Sequence, residues 1–233
     1  MFSQESKPSP SAPPAQSAEA RLRDLEALPL YLQLAPGEVG LTPTDLRGAW
    51  PEWRAALRAQ HPRQRAGGAD LLLLNGLLWA PGMLHLACAF VLGARLQAGL
   101  RFVGTQEAPF GPLACGGAVL TDDPDPLPAA LNTLQALALD LWPATTLRRE
   151  LLLRALADRL LQALALLGRV TGETGRAADW ADRLLEGWPV PSRAKLSFVP
   201  EERLVRATCC FFYLNEGGAR CANCPAHGAG RTP

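Results

Sequence analysis

The residues of this chain best suited to chemistry are its cysteines. There are six, Cys88, Cys115, Cys209, Cys210, Cys221 and Cys224, and the last four fall within 16 residues with the spacing C-C-x10-C-x2-C. Gly217-Gly218 stands in the middle of the ten-residue gap and lets the chain reverse. Cys221 and Cys224 can then return to the adjacent pair, and four thiolates converge on one site, as a [2Fe–2S] cluster requires. A disulfide between Cys209 and Cys210 is disfavoured, because neighbouring Cα atoms lie only ~3.8 Å apart. Structural zinc stays open: Cys221-x-x-Cys224 is a good half-site, but the adjacent pair lacks the usual spacer of its partner half. Spacing therefore favours iron–sulfur over zinc. It also makes a geometric demand, since successive side chains of a strand point to opposite faces and the backbone must bend for both Cys209 and Cys210 to ligate.

Other potential ligands have blander readings. His85 and Cys88 share one face of an apolar segment at i, i+3 and read as a buried pair without a metal. Cys115 reads as a small buried residue, and His227 as an exposed tail residue. Phe212 and Tyr213 read as core aromatics, with shielding of the cysteine site as the alternative. The six tryptophans (Trp50, Trp53, Trp79, Trp142, Trp180, Trp188) read as packing residues.

Composition narrows the class. The chain has 233 residues, with Lys+Arg 23 against Asp+Glu 22 and a net charge of +1. That balance excludes the global basic field of a nonspecific nucleic-acid binder. Only Lys7 and Lys195 are lysines, which leaves almost no candidate for a Schiff-base or P-loop lysine. Residues 1–20 are Ser/Pro/Ala-rich, without a basic start or an apolar run, so no export is expected. In a reducing cytosol, clustered cysteines hold metal or carry redox chemistry more often than they form disulfides.

The elements that must position these residues are mostly helical. Leu (43) and Ala (38) dominate, Val occurs 8 times and Ile is absent. The expected fold is mostly α with a minor β component: a disordered leader over 1–18, a helical body over 19–188, and a small C-terminal iron–sulfur module over 189–233. Helices are expected over 21–28, from Pro51 to about residue 60, and over 127–141, 146–169 and 177–186. A strand pair is expected near 101–121, with short strands near 195–199 and 204–208. In the 146–169 helix, Glu150, Arg154 and Asp158 form a charge ladder that reads as a solvated face. Between Asp70 and Arg95 run 24 residues without a charged side chain, long enough to span a bilayer. Pro81-Gly82 splits them, so residues 71–94 fit two core helices better than a span, the alternative being insertion or peripheral contact with the inner membrane.

The adjacent pair, the ten-residue gap, the closing C-x-x-C and the following Pro225 resemble the C-terminal signature of FhuF-type ferric siderophore reductases. The aromatic residues after the pair (Phe212, Tyr213) and the basic Arg206 before it are similar too. The resemblance covers about the last 20 residues. It implies a cytoplasmic one-electron reductase with a [2Fe–2S] cluster held by Cys209, Cys210, Cys221 and Cys224. The substrates would be iron(III) chelates, typically hydroxamate siderophores, and a ferredoxin or flavoprotein would donate the electron. Arg203, Arg206 and Arg220 are then expected to flank the cluster, offset its negative charge and help form the surface that meets the chelate; the alternative is that they are simply solvated. Two other functions stay open: an iron–sulfur electron carrier or redox sensor, and a zinc-stapled interaction module.

Overall fold

The longest leucine stripe becomes the longest helix, α6 (Arg149–Thr171), and the body is arranged around it. Ala155, Leu156, Ala157 and Asp158 are all buried in succession, which is more than one full turn and leaves no solvent face there. The structure, a computed structural model, describes residues 17–30, 32, 34–35, 40–103, 113–199, 201–209, 214 and 225. Seven α-helices and five short or medium strands occur among them, so the fold is mostly α with a small sheet component.

The apolar segment forms α3 (Ala66–Leu77) and α4 (Trp79–Leu92), separated at Leu78. The break falls ahead of Pro81-Gly82 because proline is tolerated in the first turn of a helix, where its missing N–H has no partner to lose. Taken together, Ala66–Leu92 is long and apolar enough to cross a membrane, but 78% of its most apolar window is buried inside the protein. Both helices pack against α6. Gly93 closes α4 in the left-handed conformation and turns the chain straight into a strand.

That strand, β2 (Ala94–Phe102), pairs antiparallel with β3 (Leu113–Asp122), and β1 (Leu34–Ala35) adds to β3 in parallel. The strand pair starts ahead of its expected position near residue 101. Ala94 and Leu96 alternate inward with Arg95 and Gln97 outward, a half-buried pattern that the sequence carries directly after the glycine.

A second boundary differs. The helix expected to begin at Pro51 is α2 (Pro43–Gln60), which runs through Pro51. Thr42 and Asp45 form a capping box at its start, with the Thr42 hydroxyl accepting from the Asp45 N–H and the Asp45 carboxylate accepting from Thr42. Leu46, Trp50 and Trp53 share its buried side. The cap and this common face outweigh the one backbone hydrogen bond that Pro51 forfeits.

The remaining helices follow the predicted pattern closely: α1 (Ala18–Glu26), α5 (Leu127–Leu141) and α7 (Thr174–Glu186). Ser17 caps α1; residues 1–16 of the predicted leader lie outside the described residues. At Gly168 an added Cβ would stand 2.7 Å from the Ala177 Cβ, so the glycine permits the close crossing of α6 and α7. Beyond α7, Trp188 donates its indole N–H to the Leu153 carbonyl at 3.0 Å. Val190, Ala194 and Leu196 continue the same buried cluster. A hairpin of β4 (Lys195–Ser197) and β5 (Arg203–Val205) then lies against α6. This hairpin delivers the chain to the first cysteine of the tail.

Candidate metal centre

The approach to Cys209 is held by a single buried carboxylate. After β5 the chain leaves strand geometry at Arg206 and bends at Ala207 and Thr208. Asp158, fully buried on α6, accepts the Ala207 N–H at 2.8 Å on one oxygen. Its other oxygen accepts the Thr208 N–H at 2.7 Å and the Thr208 hydroxyl. The Arg206 Nε lies 3.9 Å from that second oxygen. Burial pushes the Asp158 pKa up, while the Thr208 hydroxyl, the two backbone N–H groups and Arg206 pull it back. Amide N–H groups can only donate, so this donor set is satisfied by the ionised carboxylate.

The chain bends at residues 207 and 208, just before the adjacent cysteines, and Asp158 holds that bend in place; the bend expected at Cys209-Cys210 involves Cys210, which lies outside the described residues. Cys209 itself is half-buried. The expectation that Asp158 lies on a solvated charge ladder is corrected: Glu150 is exposed, but Asp158 is 0% exposed. The hairpin and the segment after it cover this part of α6, which a single-helix pattern does not reveal.

Arg206, expected to contribute to the surface that meets the chelate, is 6% exposed and turns toward Asp158. Its Nε is buried with no hydrogen-bond partner among the described residues. Arg203 is exposed on β5. Arg220, Cys210, Cys221 and Cys224 lie outside the described residues, as do Phe212, Tyr213 and His227.

The other expected ligands form no metal site among the described residues, where no group of three or more His, Cys, Asp or Glu side chains comes together. His85 and Cys88 are both buried within α4. Burial lowers the His85 pKa to about 4, so the ring is neutral at physiological pH. Cys115 sits in β3 opposite Leu100. Sequence reasoning gave no role to a second buried acid, Asp70. It accepts from the Trp50 indole N–H (2.8 Å), the Arg54 guanidinium (3.3 Å) and the Thr146 N–H and hydroxyl (both 2.7 Å). Asp70 thereby ties α2 and α3 to the loop before α6. Its place at the edge of the uncharged run was the only signal of this role.

A helical body thus carries, on an anchored exit segment, the first cysteine of a four-cysteine tail, the arrangement of an iron–sulfur protein. Residues 206–225 match the family model described as the FhuF 2Fe-2S C-terminal domain. The match begins at Arg206, the first residue of the segment that Asp158 holds. The match spans the tail alone; it suggests a siderophore-iron reductase family, and the cofactor it points to is a [2Fe–2S] cluster. This decides between the two metals that spacing left open. No curated protein and no solved structure is significantly similar to the chain. The residues present suit such a group: four thiolates give the assembly a negative charge, and Arg206 supplies a buried positive charge three residues before the first of them.

Proposed function

We propose that the chain reduces ferric siderophores by one electron and releases Fe2+ in the cytosol, with hydroxamate chelates as the typical substrates. The observation that carries this reading is the matched 2Fe-2S domain joined to the helical body through the Asp158 anchor. When bound, the [2Fe–2S] group supplies a one-electron reservoir. Cys209, Cys210, Cys221 and Cys224 are the residues proposed to hold it. Asp158 fixes the backbone from which Cys209 projects, and Arg206 sets a positive potential close to the thiolates. Arg203, exposed on β5, is proposed to face the chelate, together with Arg220.

The reaction needs no nucleophile and no general base. A ferredoxin or flavoprotein delivers the electron, and Fe3+ in the chelate becomes Fe2+. Hard oxygen donors hold the lower charge far less tightly, so the iron becomes exchangeable. A dedicated reductase is favoured over a simple carrier because the helical body far exceeds what holding a cluster requires.

The test is a single turnover under anaerobic conditions. The reduced holoprotein is mixed with ferrichrome, an uncharged ferric tris-hydroxamate, and a chromophoric Fe2+ trap. The expected result is one trapped Fe2+ per protein re-oxidised, with loss of the reduced iron–sulfur EPR signal. A protein that carries the EPR signal but stays reduced in the presence of the chelate would leave only the carrier or sensor reading.

A further inference from the structure

A cavity of about 540 Å³ opens where the α2–α3 connection, the start of α6 and Leu214 meet. Its size falls within the roughly 300–1,000 Å³ typical of small-ligand sites. Leu71, Leu147 and Leu151 supply apolar lining, and Arg63 and Arg65 supply positive charge. Both arginines are exposed, and among the described residues neither is ion-paired with a carboxylate. Nearby, Arg148 and Arg149 follow Leu147 in the chain and outnumber Glu150. The first turn of α3, whose N-cap Arg65 makes no side-chain capping bond, adds the positive end of a helix dipole. The one acid close by in α3, Asp70, has its oxygens committed to Trp50, Arg54 and Thr146.

The lining residue that gives this cavity meaning is Leu214. In the sequence it lies between the two cysteine pairs, four residues beyond Cys210. Chain connectivity alone keeps the Cys210 Cα within about 14 Å of it. A ligand in the cavity therefore lies beside the redox tail whatever path the intervening residues take.

We propose that this cavity is the chelate-binding pocket and that it selects iron(III) chelates of net negative charge. The proposal rests on the reductase reading for the nature of its ligand. Three hydroxamates neutralise Fe3+, so a tris-hydroxamate core is uncharged and its pendant groups decide the net charge. Chelates with free carboxylates meet Arg63 and Arg65 favourably, whereas a pendant ammonium is repelled. The leucine lining accepts the apolar ligand backbone in either case.

The test uses two gallium(III) chelates, which match iron(III) in charge and shape but resist reduction. One is the complex of desferrioxamine B, with a pendant ammonium; the other is that of its N-succinyl derivative, with a pendant carboxylate. Their binding to oxidised holoprotein is measured by calorimetry. The anionic complex is expected to bind about tenfold tighter at low ionic strength, with the gap narrowing as salt screens it. R63Q/R65Q should close the gap and R63E/R65E should reverse it; these positions are exposed, and circular dichroism checks the fold. Equal affinities in the wild type, or a gap that survives R63Q/R65Q, would overturn the proposal. Electron transfer to the two ferric complexes is followed in parallel. Turnover without any charge preference in gallium binding sinks the pocket and leaves the reductase standing. A charge preference that the variants abolish, without turnover, supports the pocket and sinks the reductase.

Discussion

Asp158→Asn is the most informative single change, because it keeps the shape of the side chain while removing its charge and one of its two acceptors. The carboxylate now satisfies three donors, the Ala207 N–H, the Thr208 N–H and the Thr208 hydroxyl, and stands 3.9 Å from the Arg206 Nε. The amide must turn its NH2 toward at least one backbone N–H. Leaving that buried donor unpaired costs about 1–3 kcal/mol. The surviving hydrogen bonds change from charged to neutral acceptors, and Arg206 loses its nearby counter-charge, each a further loss on the order of 1 kcal/mol. Because the segment ends near the surface and can relax, the expected net loss is about 3 kcal/mol.

That loss should be local. Hydrogen exchange should show the Ala207 and Thr208 amides exchanging about a hundredfold faster, while the α6 and α7 amides change little. Urea denaturation reports the loss of stability, and the visible absorption of the holoprotein should decay faster in the variant as the cysteine site loosens. Thr208→Val, which removes only the hydroxyl donor, should cost about 1.5–3 kcal/mol and be partly redundant with Asp158→Asn. If Asp158→Asn left stability within about 0.5 kcal/mol of wild type and Thr208 equally protected, the anchor would not exist as described.

Cys221→Ser should abolish the colour, iron and acid-labile sulfide of the purified protein while leaving its helical circular dichroism intact; full iron content in that variant would remove Cys221 from the ligand set. Arg206→Gln should shift the cluster potential to more negative values by withdrawing a buried positive charge, read by EPR-monitored redox titration; an unchanged potential would deny Arg206 that role. His85, 3% exposed and with a pKa lowered to about 4 by burial, is neutral in the folded protein and takes up a proton more readily when unfolded. Its contribution is therefore complete above the unfolded value near 6.5 and is lost as pH falls toward 4. Between pH 7 and pH 5 this amounts to about 2 kcal/mol, and His85→Leu should remove that part of the pH dependence from urea denaturation curves.

Much of the architecture was legible because it depends on periodicity. The leucine spacing of α5 and α6 and the split in the apolar run are local signals, and the structure follows them to within a few residues. α2 starts ahead of the expected Pro51 because the Thr42–Asp45 box, a local signal that the expectation left unused, caps the helix upstream. The chemistry of the tail was legible for a related reason. Cysteine spacing is a property of the chain itself, and it brought the cofactor class into view without any coordinates.

What the sequence by itself determined, then, was the helical body, the four-cysteine tail and the kind of group such a tail holds. Only the tertiary structure decided which polar residues face inward. Asp158 and Glu150 look alike along the helix, and they part company because residues 206–208, about fifty positions later, fold over one and not the other. Arg206 changes from a surface cation to a buried one for the same reason. The cavity is likewise assembled from Arg63, Leu147 and Leu214, three segments far apart in the chain. Periodicity reports which face of an element is apolar; what comes to cover a polar residue is a matter of long-range packing, and no local pattern encodes it.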